Sequence, residues 1–175
     1  PGAGKGTQAK ILAQKFNLVH LSTGDILRKE IDRNSVVGLK AQTYMNAGNL
    51  VPDEVLLEMM NSTLTELKDN GVILDGFPRT IPQADGLSKI FQSLNQDIDA
   101  IINIEVDKDV LIRRLVERAK NSGRADDTEE GIKNRPNVYL ELTAPLIEFY
   151  HGNIINIDGD GSIDKVTERI LKRIP

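Results

Sequence analysis

The residues with the most chemical content open the chain. Pro1-Gly2-Ala3-Gly4-Lys5-Gly6-Thr7 is the second half of the phosphate-binding pattern G-x-x-x-x-G-K-[ST]. Gly2, Gly4 and Gly6 let backbone amides approach an anion with no Cβ in the way. Successive N–H groups then form a nest, and the helix that follows aims its positive end at the same point. Lys5 brings a charge to the outer phosphates, and Thr7 brings a hydroxyl near phosphate and Mg²⁺. Gly6 departs from the general pattern, in which the hydroxyl follows the lysine directly. The opening glycine of the pattern would lie ahead of Pro1, as would the strand that feeds such a loop. A chain that starts at Pro1 without Met therefore reads as a fragment.

Further along, charged and hydroxyl side chains gather where apolar runs end. Ser22-Thr23-Gly24-Asp25-Ile26-Leu27-Arg28 follows one such run, Asp75-Gly76-Phe77-Pro78-Arg79 a second, and Asp158-Gly159-Asp160-Gly161 a third. The first two bring Arg28 and Arg79 to the rim that holds Lys5. Asp75 stands where a carboxylate can hold Mg²⁺ or its water shell. Arg113, Arg114, Arg118 and Arg124 crowd one stretch, with Asp126, Asp127 and Arg135 just beyond. Taken alone this is a solvated basic helix; beside a phosphate loop it reads as a clamp for a transferring phosphoryl group. The Asp158–Asp164 run mimics a calcium loop but has Ile163 where the glycine belongs and Arg169 where the final Glu belongs. His20 and His151 are isolated and read as a strand histidine and a surface histidine.

The elements that must position these groups alternate. The sequence predicts a helix over 5–16, a strand at 18–21, a helix opened by Ser22 or Thr23, and a short helix over 38–45. A turn at 48–52 precedes a helix capped by Asp53 and running to about residue 69. Then come a strand at 72–75, a helix over 82–94, a strand at 100–105, a basic helix over 108–120 and a polar loop over 121–127. A helical stretch to Tyr150, a strand at 154–157 and a helix over 163–174 complete the chain. Strands alternating with helices predict an α/β fold, a parallel sheet flanked by helices, and ligands then gather beyond the carboxyl ends of the strands.

Composition narrows the function. The 175 residues suit one domain, 39% are hydrophobic and 27% charged, and the net charge is −4. An acidic chain argues against general binding to nucleic acid or to an anionic membrane, so phosphate must be met by local Arg and Lys. With no Cys there is no disulfide and no thiolate metal site. No run reaches the ~18 apolar residues of a membrane span.

The segments Pro1–Gln8, Leu21–Arg28, Asp75–Arg79, Gly123–Asp127 and Thr143–Ile147 resemble, in order and spacing, those of the adenylate kinase family over essentially the whole chain. The resemblance implies a P-loop domain over 1–175, with an AMP-binding helical segment over 22–51 and a short lid over 118–128. It implies reversible transfer of a phosphoryl group from MgATP to AMP, giving two ADP. By this likeness Gly2, Ala3, Gly4, Lys5, Gly6, Thr7, Arg118 and Gly161 bind ATP. Thr23, Arg28, Asn49, Leu50, Val51, Gly76, Phe77, Pro78, Arg79, Gln83, Arg124 and Arg135 bind AMP. Lys5, Arg79, Arg118, Arg124 and Arg135 offset the charge of the transferring group, and Asp75 holds Mg²⁺ through water. The ion arrives with ATP. Long-lid relatives insert a small domain between the positions of Arg118 and Arg124, sometimes with a four-cysteine zinc site; here the insertion and its ligands are missing, so no zinc is expected. The expected partners are ATP, AMP and ADP, with no nucleic acid and no membrane, in a cytoplasmic monomer. A UMP/CMP kinase is the nearest alternative, although Ala is typical there at the position of Thr23. A non-catalytic nucleotide-binding module is another, but the clamp residues are all present. A GTPase-type switch would carry Asn-Lys-x-Asp, which does not occur.

One departure concerns the helix that carries Arg135. Asp127 is expected to cap it, with Glu130 completing a capping box. Pro136 follows Arg135 and removes an N–H from the helix interior, and Gly131 weakens the same turn. The sequence therefore predicts a kink, or a restart after Pro136.

Overall fold

A computed structural model describes residues 1–121 and 123–175. The elements run α1 (Lys5–Phe16), β1 (Val19–Ser22), α2 (Thr23–Asp32), α3 (Val36–Asn46), α4 (Asp53–Glu66), β2 (Val72–Asp75), α5 (Ile81–Ser93), β3 (Ile101–Glu105) and α6 (Lys108–Asn121). After them come α7 (Glu129–Val138), a π-helical turn (Tyr139–Thr143), α8 (Leu146–Phe149), β4 (Ile154–Asp158) and α9 (Ile163–Leu171). Ser122 of the expected lid lies outside the described residues.

The strands are parallel, and helices cover them. β1 pairs with β2 in the register Val19 to Val72 through Ser22 to Asp75, and β3 pairs with β4 in the register Ile101 to Ile154 through Glu105 to Asp158. The described strands form two parallel pairs, and among the described residues β2 and β3 share no ladder. Side chains from both pairs meet in one apolar cluster. Alternate side chains of a strand face opposite ways, and β2 uses this to serve two cores. Its Val72 and Leu74 pack against Leu21, Leu56, Met60, Leu64, Phe77, Leu87 and Phe91, largely from α4 and α5. Its Ile73 joins Ile102 and Ile104 of β3 against Leu12 of α1 and Val166 and Ile170 of α9. Helices thus lie on both faces, and α1 presents its N-terminus to the site.

Four local expectations are corrected. Asp53 does not cap α4: Pro52 holds the cap position, with no side-chain bond, and the Asp53 carboxylate accepts from Thr80 and Gln83 instead. Asp127 does not cap α7: Thr128 does, its hydroxyl accepting from the Gly131 amide at 2.9 Å, because Asp127 is drawn to two arginines. The helix does not restart after Pro136; α7 runs through it to Val138 and then widens into the π-turn. The helical stretch to Tyr150 is consequently three pieces, with Pro145 opening the short α8.

Candidate active site

α1 begins abruptly because Gly4 adopts φ 91°, outside the helical region, and Lys5 is the first helical residue. The loop therefore points its amides and the helix dipole into a cavity that also runs on between β2 and β3, along Ile73, Leu74, Asn103 and Ile104, with a total volume of about 1950 Å³. The same cavity is lined by Gly2 to Thr7, by Thr23 and Arg28 of α2, by Asn49, Leu50 and Val51, by Asp75 to Arg79, by Arg118, Arg124 and Arg135, and by Gly161. Of the residues that the family likeness nominates for nucleotide or Mg²⁺, Gln83 alone stays behind this wall. It is fully buried, and its amide is committed to Asp53 and to the Arg79 amide.

The glycine after the lysine has a spatial reason. A Cβ on Gly6 would sit 3.0 Å from the Asp75 Oδ2 atom, so a larger residue would press on the carboxylate at the end of β2. Gly76 turns the chain away next, with φ 80°; a Cβ there would meet the Arg79 guanidinium at 2.6 Å. Its carbonyl accepts from Thr23 Oγ1 at 3.0 Å and from Arg79 Nε at 2.8 Å. The hydroxyl that opens α2 and the arginine after β2 are thereby tied to one peptide. The Phe77–Pro78 bond is cis.

Lys5 opens onto the cavity, yet protein surrounds it closely enough that desolvation lowers its ammonium to about 8; Arg79 pushes the same way, Asp75 opposes and Arg118 adds to the lowering. Desolvation also lowers Arg79, against the pull of Asp75 and with Arg135, Arg28 and Arg118 adding to it. A guanidinium remains charged through such a shift. His20 Nε2 lies 3.4 Å from Asp75 Oδ2, so the strand histidine touches the carboxylate that faces the loop.

The other arginines are held by carboxylates. Arg118 forks onto Asp127 through Nε at 2.9 Å and Nη2 at 2.7 Å. Arg135 reaches both Asp126 at 2.9 Å and Asp127 at 2.5 Å. Arg28 bridges Asp25 at 2.5 Å and Asp126 at 3.5 Å, and Arg124 stands 3.9 Å from Asp25. Burial alone would raise Asp127, but hydrogen bonds from Arg118 and Arg135 hold it down to about 2. Asp25 is likewise lowered, burial being outweighed by its bond to Arg28. The sequence gives these aspartates no such part. The available signal was two adjacent acids amid four arginines, a density of opposite charge that a solvated helix does not need. Arg113 is exposed, and Arg114 reaches the Gly159 carbonyl at 3.4 Å.

The arrangement suits two polyphosphates end to end. A helix N-terminus with a lysine lies at one side, Thr23, Arg28 and Arg79 lie at another, and three more arginines converge between them. The family model for adenylate kinase matches residues 1–155. The chain is 47% identical to an adenylate kinase of Leptospira biflexa serovar Patoc, over 99% of this chain and 95% of that protein. It is 47% identical to one of Corynebacterium urealyticum, over 98% and 93%, and 44% identical to one of Stenotrophomonas maltophilia, over 99% and 95%. With that extent of match, and a phosphate loop facing a second cluster of arginines across one cavity, the chain belongs to the adenylate kinase family of phosphotransferases.

Proposed function

We propose that the protein transfers a phosphoryl group reversibly from MgATP to AMP, giving two ADP. The observation that carries this reading is the single cavity with a phosphate nest at one side and Thr23, Arg28, Arg79 and the Asn49–Val51 turn at another. Lys5 and the loop amides take the triphosphate, with Arg118 and Gly161 on the same nucleotide. Arg28, Arg79 and Thr23 take AMP, with Gln83 reached only when its cover moves. Arg124 and Arg135 lie between. Phosphoryl transfer asks for in-line positioning and charge stabilisation, and no side chain need act as a base. The movable parts are the AMP-binding segment over 22–51 and the short lid over 118–128, whose closure keeps water from the phosphoryl group.

Asp75 and Thr7 fit a magnesium ion that arrives with the triphosphate, since Mg²⁺ typically takes one or two carboxylates, waters and substrate phosphates. When bound, the ion neutralises charge between the phosphates. The working form is taken to be a cytoplasmic monomer. The test is a coupled assay of ADP formation from ATP with AMP, CMP, UMP or GMP as acceptor. AMP should lead by kcat/KM; a lead for CMP or UMP would reassign the acceptor.

A further inference from the structure

We propose that Thr143 is a positioning residue for Arg79, one jaw of a two-sided backbone clamp whose other jaw is Gln83 held by Asp53. The proposal rests on the role given to Arg79 above. Among the described residues no carboxylate lies within ion-pair distance of Arg79, whereas Arg28, Arg118 and Arg135 are each held by one. Among the described residues its side chain is fixed only by the Nε bond to the Gly76 carbonyl. Its aim must come from its backbone, and that backbone lies in the loop between β2 and α5, outside any ladder.

Both polar groups of the Arg79 residue are taken by side chains. Its N–H donates to Gln83 Oε1 at 2.7 Å, and its C=O accepts from Thr143 Oγ1 at 2.8 Å across 64 positions of sequence. Gln83 Nε2 donates to Asp53 Oδ1 at 2.7 Å, and Thr80 Oγ1 donates to the same oxygen at 3.0 Å. A carboxylate can only accept and a backbone N–H can only donate, so the Gln83 amide has one orientation. This is the work to which Asp53 is diverted from capping α4.

Thr143 reaches Arg79 from the end of the π-turn, where the Ala144 N–H donates to the Tyr139 carbonyl five residues back at 2.8 Å. The wider turn shifts every later side chain by about 100° relative to an α-helix. α7, which carries Arg135, runs directly into that turn. The clamp therefore links the helix that bears Arg135 to the loop that bears Arg79.

The test is steady-state kinetics and thermal unfolding of Thr143→Val, Thr143→Ser and Arg79→Ala, with Thr143→Val also made in the Arg79→Ala background. Thr143→Val should lower kcat about three- to tenfold, the worth of one hydrogen bond, with KM for ATP within about twofold, and Thr143→Ser should restore kcat. In the Arg79→Ala background Thr143→Val should change kcat no further, because residues that act as a unit are not additive. An unchanged kcat in Thr143→Val, or an equal loss in both backgrounds, overturns the proposal. Near-parent kcat in Arg79→Ala would remove the role of Arg79 itself, and the proposal with it. If Thr143→Val does not fold, Asp53→Ala tests the other jaw by the same comparison and with the same two outcomes.

Discussion

Lys5 and Arg79 differ from the other cations of the site in having no carboxylate in ion-pair contact among the described residues. Their charges are therefore available where negative charge is redistributed in the transition state, and Lys5→Met and Arg79→Ala should each lower kcat far more than they weaken nucleotide binding. Loss of a preorganised charge of this kind costs about 3–4 kcal/mol; near-parent kcat in either variant contradicts the role. Lys5, lowered to about 8, also sets a pH limit. It is charged below that value, so kcat/KM should fall as pH rises through about 8, and in kcat the limb should move upward because bound phosphate favours the ammonium. Lys5→Arg should remove the limb. Asp127 gives the opposite sign. Its carboxyl is held at about 2, below its ordinary value of 3.8, so it stabilises the fold above pH ~4 and loses that contribution as pH falls towards 2. Asp127→Asn should cost roughly 1–2 kcal/mol near neutrality and flatten the acid limb of thermal unfolding. The loop glycines and every one of these charges were legible as residues. Their partners were not, because spacing along a chain does not reveal that Asp127 is within 2.7 Å of Arg118.

Elements were read well where one periodicity or one signal governed them. α1 spans Lys5–Phe16, the helix expected to follow the phosphate loop, and β2 spans Val72–Asp75, the expected apolar strand. The misreadings share a cause. Asp53 and Asp127 both look like caps, and a cap is worth about 1 kcal/mol. Each instead finds two donors from elsewhere in the fold, and a charge-assisted hydrogen bond is about twice as strong as a neutral one. The hydroxyls of Ser22, Ser35, Thr80 and Ser162 do cap the helices that follow them, because a hydroxyl can accept the cap bond and still donate elsewhere, as Thr80 does to Asp53. Pro136 was legible as a disturbance, but its outcome depended on the π-turn that follows, which no local signal announces. The proline still denies the Ile132 carbonyl a donor. Pro136→Leu should therefore raise Tm, by about 2–4 °C for each kcal/mol recovered, without lowering kcat. A less stable variant in differential scanning would show that the proline suits the path into the π-turn better than leucine does.

At the scale of the whole molecule, the segment over 22–51, proposed to bind AMP, is docked on α7 by side chains of and near that helix. Thr128 Oγ1 donates to the Asn46 carbonyl at 2.6 Å, and Asn134 Nδ2 donates to the Ala47 carbonyl at 2.9 Å and to Asn49 Oδ1 at 2.7 Å. The approach is close enough that a Cβ on Gly48, whose φ is 72°, would meet the Gly131 carbonyl oxygen at 2.5 Å. Gly48→Ala should push the Asn49–Val51 turn off α7 and raise KM for AMP several-fold while leaving KM for ATP within about twofold. The strain alone is of order 1–3 kcal/mol. Equal effects on both nucleotides in initial-rate measurements would count against this docking as a feature of the acceptor side. Which strands pair was not legible either. Each strand reads as a buried apolar run, and such runs do not encode which neighbours they pair with.

Asp126 and Asp127 give the site a resident pair of anions. On the proposed function, a nucleotide entering between Arg28, Arg118 and Arg135 exchanges one counter-anion for another; it does not meet bare charge. Its affinity then reports a difference between phosphate and carboxylate, and the carboxylates are ready to reclaim the arginines as product leaves. In the language of ion linkage, fewer salt ions accompany the step than three arginines would suggest, so ADP affinity should weaken only gently with ionic strength. Asp126→Asn should steepen that dependence and lengthen the residence time of ADP, measured as its dissociation rate across a sodium chloride series.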